Sequence, residues 1–256
     1  MPLMKTSNPA LGEKTFQDLS RSQYGGYQGD ITTRMTLNGT VNKTGILLVC
    51  AIATAGWTWL QFMQSRDLAD VYPWMLTGMI GGLIFALITI FKKEWSAVTA
   101  PVYALLEGLV LGSLSAVFEL RYPGIAIQAV GLTFGVLAAM LLAYTLGIIH
   151  VTQRFRAIVV GATGAIALLY LVSFVLSFFH VGVPILNSAS PLSIGVSLVI
   201  IAVAALNLAL DFDLIQTGVA QGAPRYMEWY AAFGLLVTLV WLYLEILRFL
   251  SKVRQR

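Results

Sequence analysis

Seven long apolar stretches, separated by short polar breaks, constrain this chain more than any other feature it has. They run over Gly45–Met63, Trp74–Phe91, Ser96–Phe118, Gly124–Ile149, Ala157–Phe179, Ser193–Leu210 and Trp229–Leu250. An α-helix needs roughly 20 apolar residues to cross a hydrocarbon core, and each stretch is close to that length. Only 11% of the 256 residues are charged, against 58% hydrophobic. A soluble domain carries roughly 25% charged residues. Lipid must therefore serve as solvent for much of the exterior, and in lipid only helices or closed barrels satisfy their own backbones. The expected fold is an all-α membrane bundle of about seven transmembrane helices.

The domain plan follows: residues 1–44 form a polar, partly disordered N-terminal tail, and 45–256 a single multi-helix transmembrane domain. The tail is rich in Gly, Ser and Thr and lacks the apolar core of a cleavable signal, so the first apolar segment is expected to act as an uncleaved anchor. A short membrane-proximal helix is expected over Met35–Lys43. The breaks KKEW, ELRYPG and HVTQRFR are too short for anything but antiparallel helix pairs.

Lysine and arginine set the orientation. Lys5, Lys14, Arg21, Arg34 and Lys43 precede the first span; Lys92, Lys93, Arg154, Arg156 and Arg225 occupy alternate breaks; the opposite breaks hold only Arg66 and Arg121. The N-terminus is expected to be cytoplasmic. Arg248, Lys252, Arg254 and Arg256 oppose this pattern, so either the last segment enters and returns or the earlier helices override it. The net charge of +4 reflects these helix-end residues, and no nucleic-acid-binding patch of basic and aromatic residues accompanies it.

Several chemistries lack their residues. The lone Cys50 excludes an internal disulfide and a cysteine-based zinc site. His150 and His180 stand far apart without an HExxH pattern, and LGSLSAVFE is not GxSxG because Ala116 occupies the last position. No lysine sits mid-helix to form a Schiff base. No enzymatic activity is expected. Gly78 with Gly82, Gly108 with Gly112 and Gly161 with Gly164 have the spacing of close helix packing.

Ionisable residues inside membrane helices are costly, and point to function by default. Glu107 stands midway along the third segment and Glu245 deep in the seventh. Asp211 and Asp213 close the sixth, where negative charge opposes the helix macrodipole. A cation, a proton or a base such as Arg225 must offset them; Arg248, one turn beyond Glu245, is a possible ion-pair partner. The net acidic interior suits a cation or proton path, with Glu107 on it.

The N-terminal SNPAL…F, the lead MTLNGTVNKTG and the closing DFDLIQTGVAQGAPRYMEWYAAFGLLVTLVWLYLEILRFL resemble the Bax-inhibitor family, bacterial branch. The resemblance spans nearly the whole chain and implies six helices around a central C-terminal one, in a bacterial inner membrane. It also implies passive Ca²⁺ leak through a pore gated by two carboxylates, one closing helix six and one on helix seven. Asp211 or Asp213 fits the first position, and Glu107–Gly108 resembles the family's glutamate-glycine step. For the second, the motif selects Glu245, whereas aligning helix ends selects Thr238, two turns earlier on the same face. Two carboxylates in one poorly hydrated site titrate as a unit; sharing a proton they hold two helices together, and ionised they accept a hard cation through oxygen. The expected function is a pH-sensitive cation leak, with Asp211, Asp213 and Glu245 as sensor. Asp213 and Glu245 are the expected transient Ca²⁺ ligands, with no other cofactor. The alternative is a non-transporting regulator that binds other membrane proteins, such as a quality-control protease. Besides Ca²⁺ or protons, membrane lipid is the expected partner.

The orientation has a direct test. In a Cys50→Ala background, a cysteine placed near residue 20 is expected to resist membrane-impermeant thiol reagents in intact cells and to react once the membrane is opened. Labelling in intact cells would reverse the assignment.

Overall fold

The computed structural model describes residues 34–179, 186 and 188–255. The expectations for the tail before residue 34, for His180 and most of the fifth break, and for Arg256 fall outside these residues. Seven helices are long and apolar enough to cross a membrane: α1 (Leu37–Ser65), α2 (Leu68–Phe91), α3 (Ser96–Arg121), α4 (Ile125–Thr145), α5 (Gln153–Phe178), α6 (Pro191–Ala220) and α7 (Met227–Arg254). Polar caps mark several starts. The side chains of Thr36, Asp67, Thr152 and Ser190 accept N–H groups in the first turns of α1, α2, α5 and α6, satisfying donors that a helix otherwise leaves orphaned. Pro191 follows Ser190 in the first turn of α6, where its missing N–H is harmless.

Two boundaries differ from the sequence expectation. Helix α1 begins at Leu37 and continues unbroken through Gly45, so the membrane-proximal stretch and the first span are one helix. Helix α6 extends to Ala220, well past Leu210. DLIQTGV reads as a polar loop, but Ile215 is buried against Met35 and Ala231, and that apolar contact carries the helix onward. Asp211 and Asp213 are therefore interior helix residues, and the C-terminal macrodipole penalty does not apply to them.

α7 is the axis. In its most apolar window 67% of residues are buried, against 11% for α5. α1, α3, α4 and α6 pack on α7 directly, α2 lies outside α1 and α3, and α5 lies outside α6. Leu208 of α6, Ile125 of α4 and Leu242 and Leu247 of α7 share one fully buried cluster. Ala100 and Ala104 of α3 and Ala232 of α7 share another with Leu47 of α1. The axis is a single 28-residue helix, about 42 Å at roughly 1.5 Å per residue, so the last segment does not enter and return.

The start of α7 is tied to two other helices. Glu228, 2% exposed, forms an ion pair with Lys43 of α1. It also accepts the Thr36 N–H (2.8 Å) and hydroxyl (2.9 Å). Ser96 at the head of α3 donates to the Tyr226 carbonyl (3.0 Å), and Met35 N–H to the Ala223 carbonyl (2.7 Å).

Close packing uses some of the paired glycines and not others. A Cβ on Gly108 or Gly112 would strike the Ala51 or Ala55 carbonyl of α1, and one on Gly78 the Leu106 carbonyl of α3. Thr54 of α1 bonds the Leu105 carbonyl at 2.8 Å in the same interface. Gly161 and Gly164 face open space, so that expected packing pair is not one; α5 meets its neighbours through other residues. Gly108→Ala is expected to destabilise the protein by about 1–3 kcal/mol through overpacking, read as a lower melting temperature in detergent. Gly161→Ala should leave it unchanged or raise it, because alanine favours the helix by about 0.5–1 kcal/mol.

Candidate functional site

Helix α5 buries few apolar side chains, Val159 and Ile166 among them, yet three polar residues fix it in place. Arg156, Thr163 and Tyr170 are spaced by seven, close to two turns, so they line one face. Arg156 Nη2 donates to Asp213 of α6 at 2.5 Å. Asn207 Nδ2 of α6 donates to Thr163 Oγ1 at 2.8 Å. The Tyr170 hydroxyl donates to Glu245 of α7 at 2.7 Å.

The α6–α7 side continues the line. The two helices run antiparallel in steady register, with Asp211 opposite Thr238 and the Lys252 ammonium donating to Ser197 Oγ at 2.8 Å. From Ser197 to Asp213 the polar groups extend along about 24 Å of α6, at roughly 1.5 Å per residue, most of a hydrocarbon core of about 30 Å. Polar side chains thus line the junction of α5, α6 and α7 for nearly its whole depth.

Glu245 lies near the middle of this line and is fully engaged. It is 2% exposed and accepts from Tyr170, from Trp241 Nε1 (3.2 Å) and from Arg248 Nη1 (2.9 and 3.1 Å). Arg248 also donates to the Tyr170 hydroxyl at 2.6 Å, and its guanidinium stands 5.2 Å from the Tyr170 ring centre. A charge buried this deeply is stable because its lone pairs are all met. Glu245 clamps α5 to α7.

Asp211 is the opposite case. Its carboxyl faces the Thr238 hydroxyl, and Oδ2 is buried without any hydrogen-bond partner. Thr238 itself lies within reach of the Gly234 carbonyl (3.3 Å). A buried, unpaired carboxylate oxygen is strongly disfavoured unless a proton or a cation neutralises it. Asn207, one turn earlier, lies on the same face of α6.

The structure does not assemble the expected acid pair. Neither Asp211 nor Asp213 is hydrogen-bonded to Glu245, because Glu245 stands seven residues beyond Thr238, about 10 Å along α7. Of the two α7 positions the resemblance leaves open, Thr238 is the one facing Asp211. The Asp213–Glu245 ligand pair is not formed either: Asp213 turns outward to Arg156, and its side chain is 21% exposed. The base bonded to Asp213 is Arg156. Among the described residues, no three His, Cys, Asp or Glu side chains lie close enough to hold a metal together.

Glu107 lies apart from this line, half-buried between α3 and α2, with Oε2 3.3 Å from where a Gly82 Cβ would be. No hydrogen bond joins it to Asp211, Asp213 or Glu245. Sequence reasoning passed over Thr163, Tyr170 and Trp241, and used Arg156 and Lys252 only for orientation. The signal was present: three hydrogen-bonding side chains recurring every seventh residue along an otherwise apolar helix.

No curated protein and no solved structure matches the chain. The model of one family, described as Bax inhibitor 1 like, matches residues 8–255. That match takes in all seven helices and the whole polar junction of α5, α6 and α7, and by it the chain belongs to the Bax inhibitor 1 like family.

Proposed function

We propose that this protein is a passive cation leak of the bacterial inner membrane, with its N-terminus cytoplasmic, in which the α5–α6–α7 junction is the route and Asp211 the residue that takes the ion. The unpartnered Oδ2 of Asp211 carries this reading. Other buried charges in the bundle, Glu228, Glu245 and Lys252, have bonded partners. Asp211 alone among them keeps an acceptor free, near the Asp213 end of the polar line. A hard cation such as Ca²⁺ binds oxygen ligands, and the Asp211 carboxylate beside the Thr238 hydroxyl offers a weak, incomplete set. Weak binding suits leak, since an ion must leave as readily as it enters.

With a threonine opposite the aspartate, no two carboxylates share a proton at this depth. Opening is assigned instead to α5. Hydrogen bonds that water can replace hold it to its neighbours with little buried surface, whereas α1, α3, α4 and α6 meet α7 through larger buried apolar clusters. Separation of α5 from α6 exposes Asn207, Asp211 and Thr163 to water along one face.

In vesicles loaded with a Ca²⁺ indicator, the wild-type protein is expected to admit Ca²⁺ and Asp211→Asn to reduce the rate at least about tenfold, a barrier change of roughly 1.4 kcal/mol. Asp213→Asn should retain most of the flux, because its partner Arg156 lies at the exposed margin. Wild-type vesicles no leakier than empty ones would sink the leak and leave the partner-binding role.

The α5 assignment has its own test. Cysteines at Thr163 and Asn207 in a Cys50→Ala background, joined by a short bis-thiol reagent with a cleavable link, should stop the flux, and cleavage should restore it. Undiminished flux in the cross-linked protein would remove α5 from the mechanism.

A further inference from the structure

On the far side of α7 from this junction, α1 and α4 do not pack on each other, and α3 and α7 form the floor between them. The gap holds a cavity of about 420 Å³. Ligand pockets typically measure about 300–1,000 Å³, and close-packed interiors contain few voids larger than a water molecule.

The lining is almost wholly apolar, with Leu111 of α3 and Leu236 and Val240 of α7 at its floor. The hydroxyls and the carboxylate that line it are already bonded within the protein. The Tyr243 and Ser115 hydroxyls bond each other at 2.6 Å, and Thr133 donates to the Ala129 carbonyl at 2.7 Å. Glu119 accepts the backbone N–H groups of Gly124 (2.5 Å) and Ala126 (3.2 Å). Apart from the Trp59 indole, little remains to bind a polar ligand or hold a water chain, and apolar cavities of this kind stay dry.

The rim identifies the occupant. Ile52 of α1 and Ile127 and Phe134 of α4 line the cavity and are strongly exposed. All three lie within membrane spans, where the surrounding solvent is hydrocarbon chains. At the Glu119 end of the bundle, two cations mark the level of a phosphate. Arg121 is exposed at the last turn of α3. Arg254 reaches from α7 to the α3–α4 connection, bonding the Pro123 carbonyl (2.7 Å) and Gln128 Oε1 (2.8 Å). An apolar slot open to the bilayer, below guanidinium groups at the membrane edge, matches one lipid class.

We propose that this cavity is a lipid site: one acyl chain of an anionic phospholipid enters between α1 and α4 and lies against α3 and α7, with its phosphate at the Arg121–Arg254 end. The site is separate from the polar junction and does not depend on ion flux. The chain it holds completes the packing of α7 on the side that no helix covers.

Gly56 of α1 lines the cavity, and a Cβ there meets no atom within 4 Å. Leucine at this position fills the slot and favours the helix more than glycine does, so the Gly56→Leu variant should fold. Gly131 of α4 is exposed, has the same open surroundings and does not line the cavity, so Gly131→Leu controls for an added apolar side chain. Native mass spectrometry of the detergent-purified, delipidated proteins titrated with dioleoyl phosphatidylglycerol reads the occupancy. The wild type and Gly131→Leu are expected to take up one lipid with equal affinity, and Gly56→Leu to bind about tenfold or more weakly, a difference of roughly 1.4 kcal/mol. Equal binding by Gly56→Leu, equal loss in Gly131→Leu, or wild-type protein that retains detergent but no phospholipid would each overturn the proposal.

Discussion

Hydrocarbon offers no hydrogen bonds, and this one property of the solvent decides where almost every polar side chain in the bundle ends. Threonine and serine hydroxyls inside the spans turn back onto their own helices: Thr44 onto Thr40, Thr89 onto Phe85, Thr133 onto Ala129, Ser113 onto Leu109. Charged groups cannot do this and must reach across. Glu228 finds Lys43 and Thr36, Glu245 finds Tyr170 and Arg248, and Lys252 finds Ser197. The helices are placed where these pairings close, and apolar packing fills the remaining space.

Two kinds of adhesion result. Helices α1, α3, α4 and α6 meet α7 through fully buried apolar clusters and through glycines that admit a neighbouring backbone. Helix α5 meets the bundle through a column of hydrogen bonds with little burial behind it. Burial is indifferent to small displacements of water, whereas a hydrogen bond exchanges with water at little net loss. The firm and the adjustable parts of the molecule are thereby assigned to different helices, and the buried carboxylate oxygen that lacks a partner among the described residues lies beside the adjustable part.

The seven spans were legible because length and apolarity are properties of single segments and hydrocarbon tolerates few exceptions. The partners of the acids were not, because pairing depends on the register between helices. Glu245 and Thr238 share a face of α7, and only the antiparallel alignment with α6 decides which of them meets Asp211. The end of α6 was misread at Asp211–Asp213 because the decisive contact, Ile215 on Met35 and Ala231, links segments far apart in the chain. Gly161 and Gly164 had the spacing of a packing pair but face no neighbour. Of the basic residues near the C-terminus that oppose the orientation pattern, Arg248 and Lys252 are committed to bonds inside the bundle. The polar stripe of α5, with its regular spacing, could have been read from the sequence alone.

The helix at the centre follows the other six described spans in the chain. Synthesis and membrane insertion proceed from the N-terminus, so α1 to α6 reach the bilayer before the element they surround exists. Until α7 arrives, the faces it will cover, those carrying Leu47, Ala100, Ala104 and Leu208, must remain against lipid or against one another in a provisional arrangement. α1, α2 and α3 can already meet one another through their glycine contacts, but the buried clusters of the bundle close only when α7 enters.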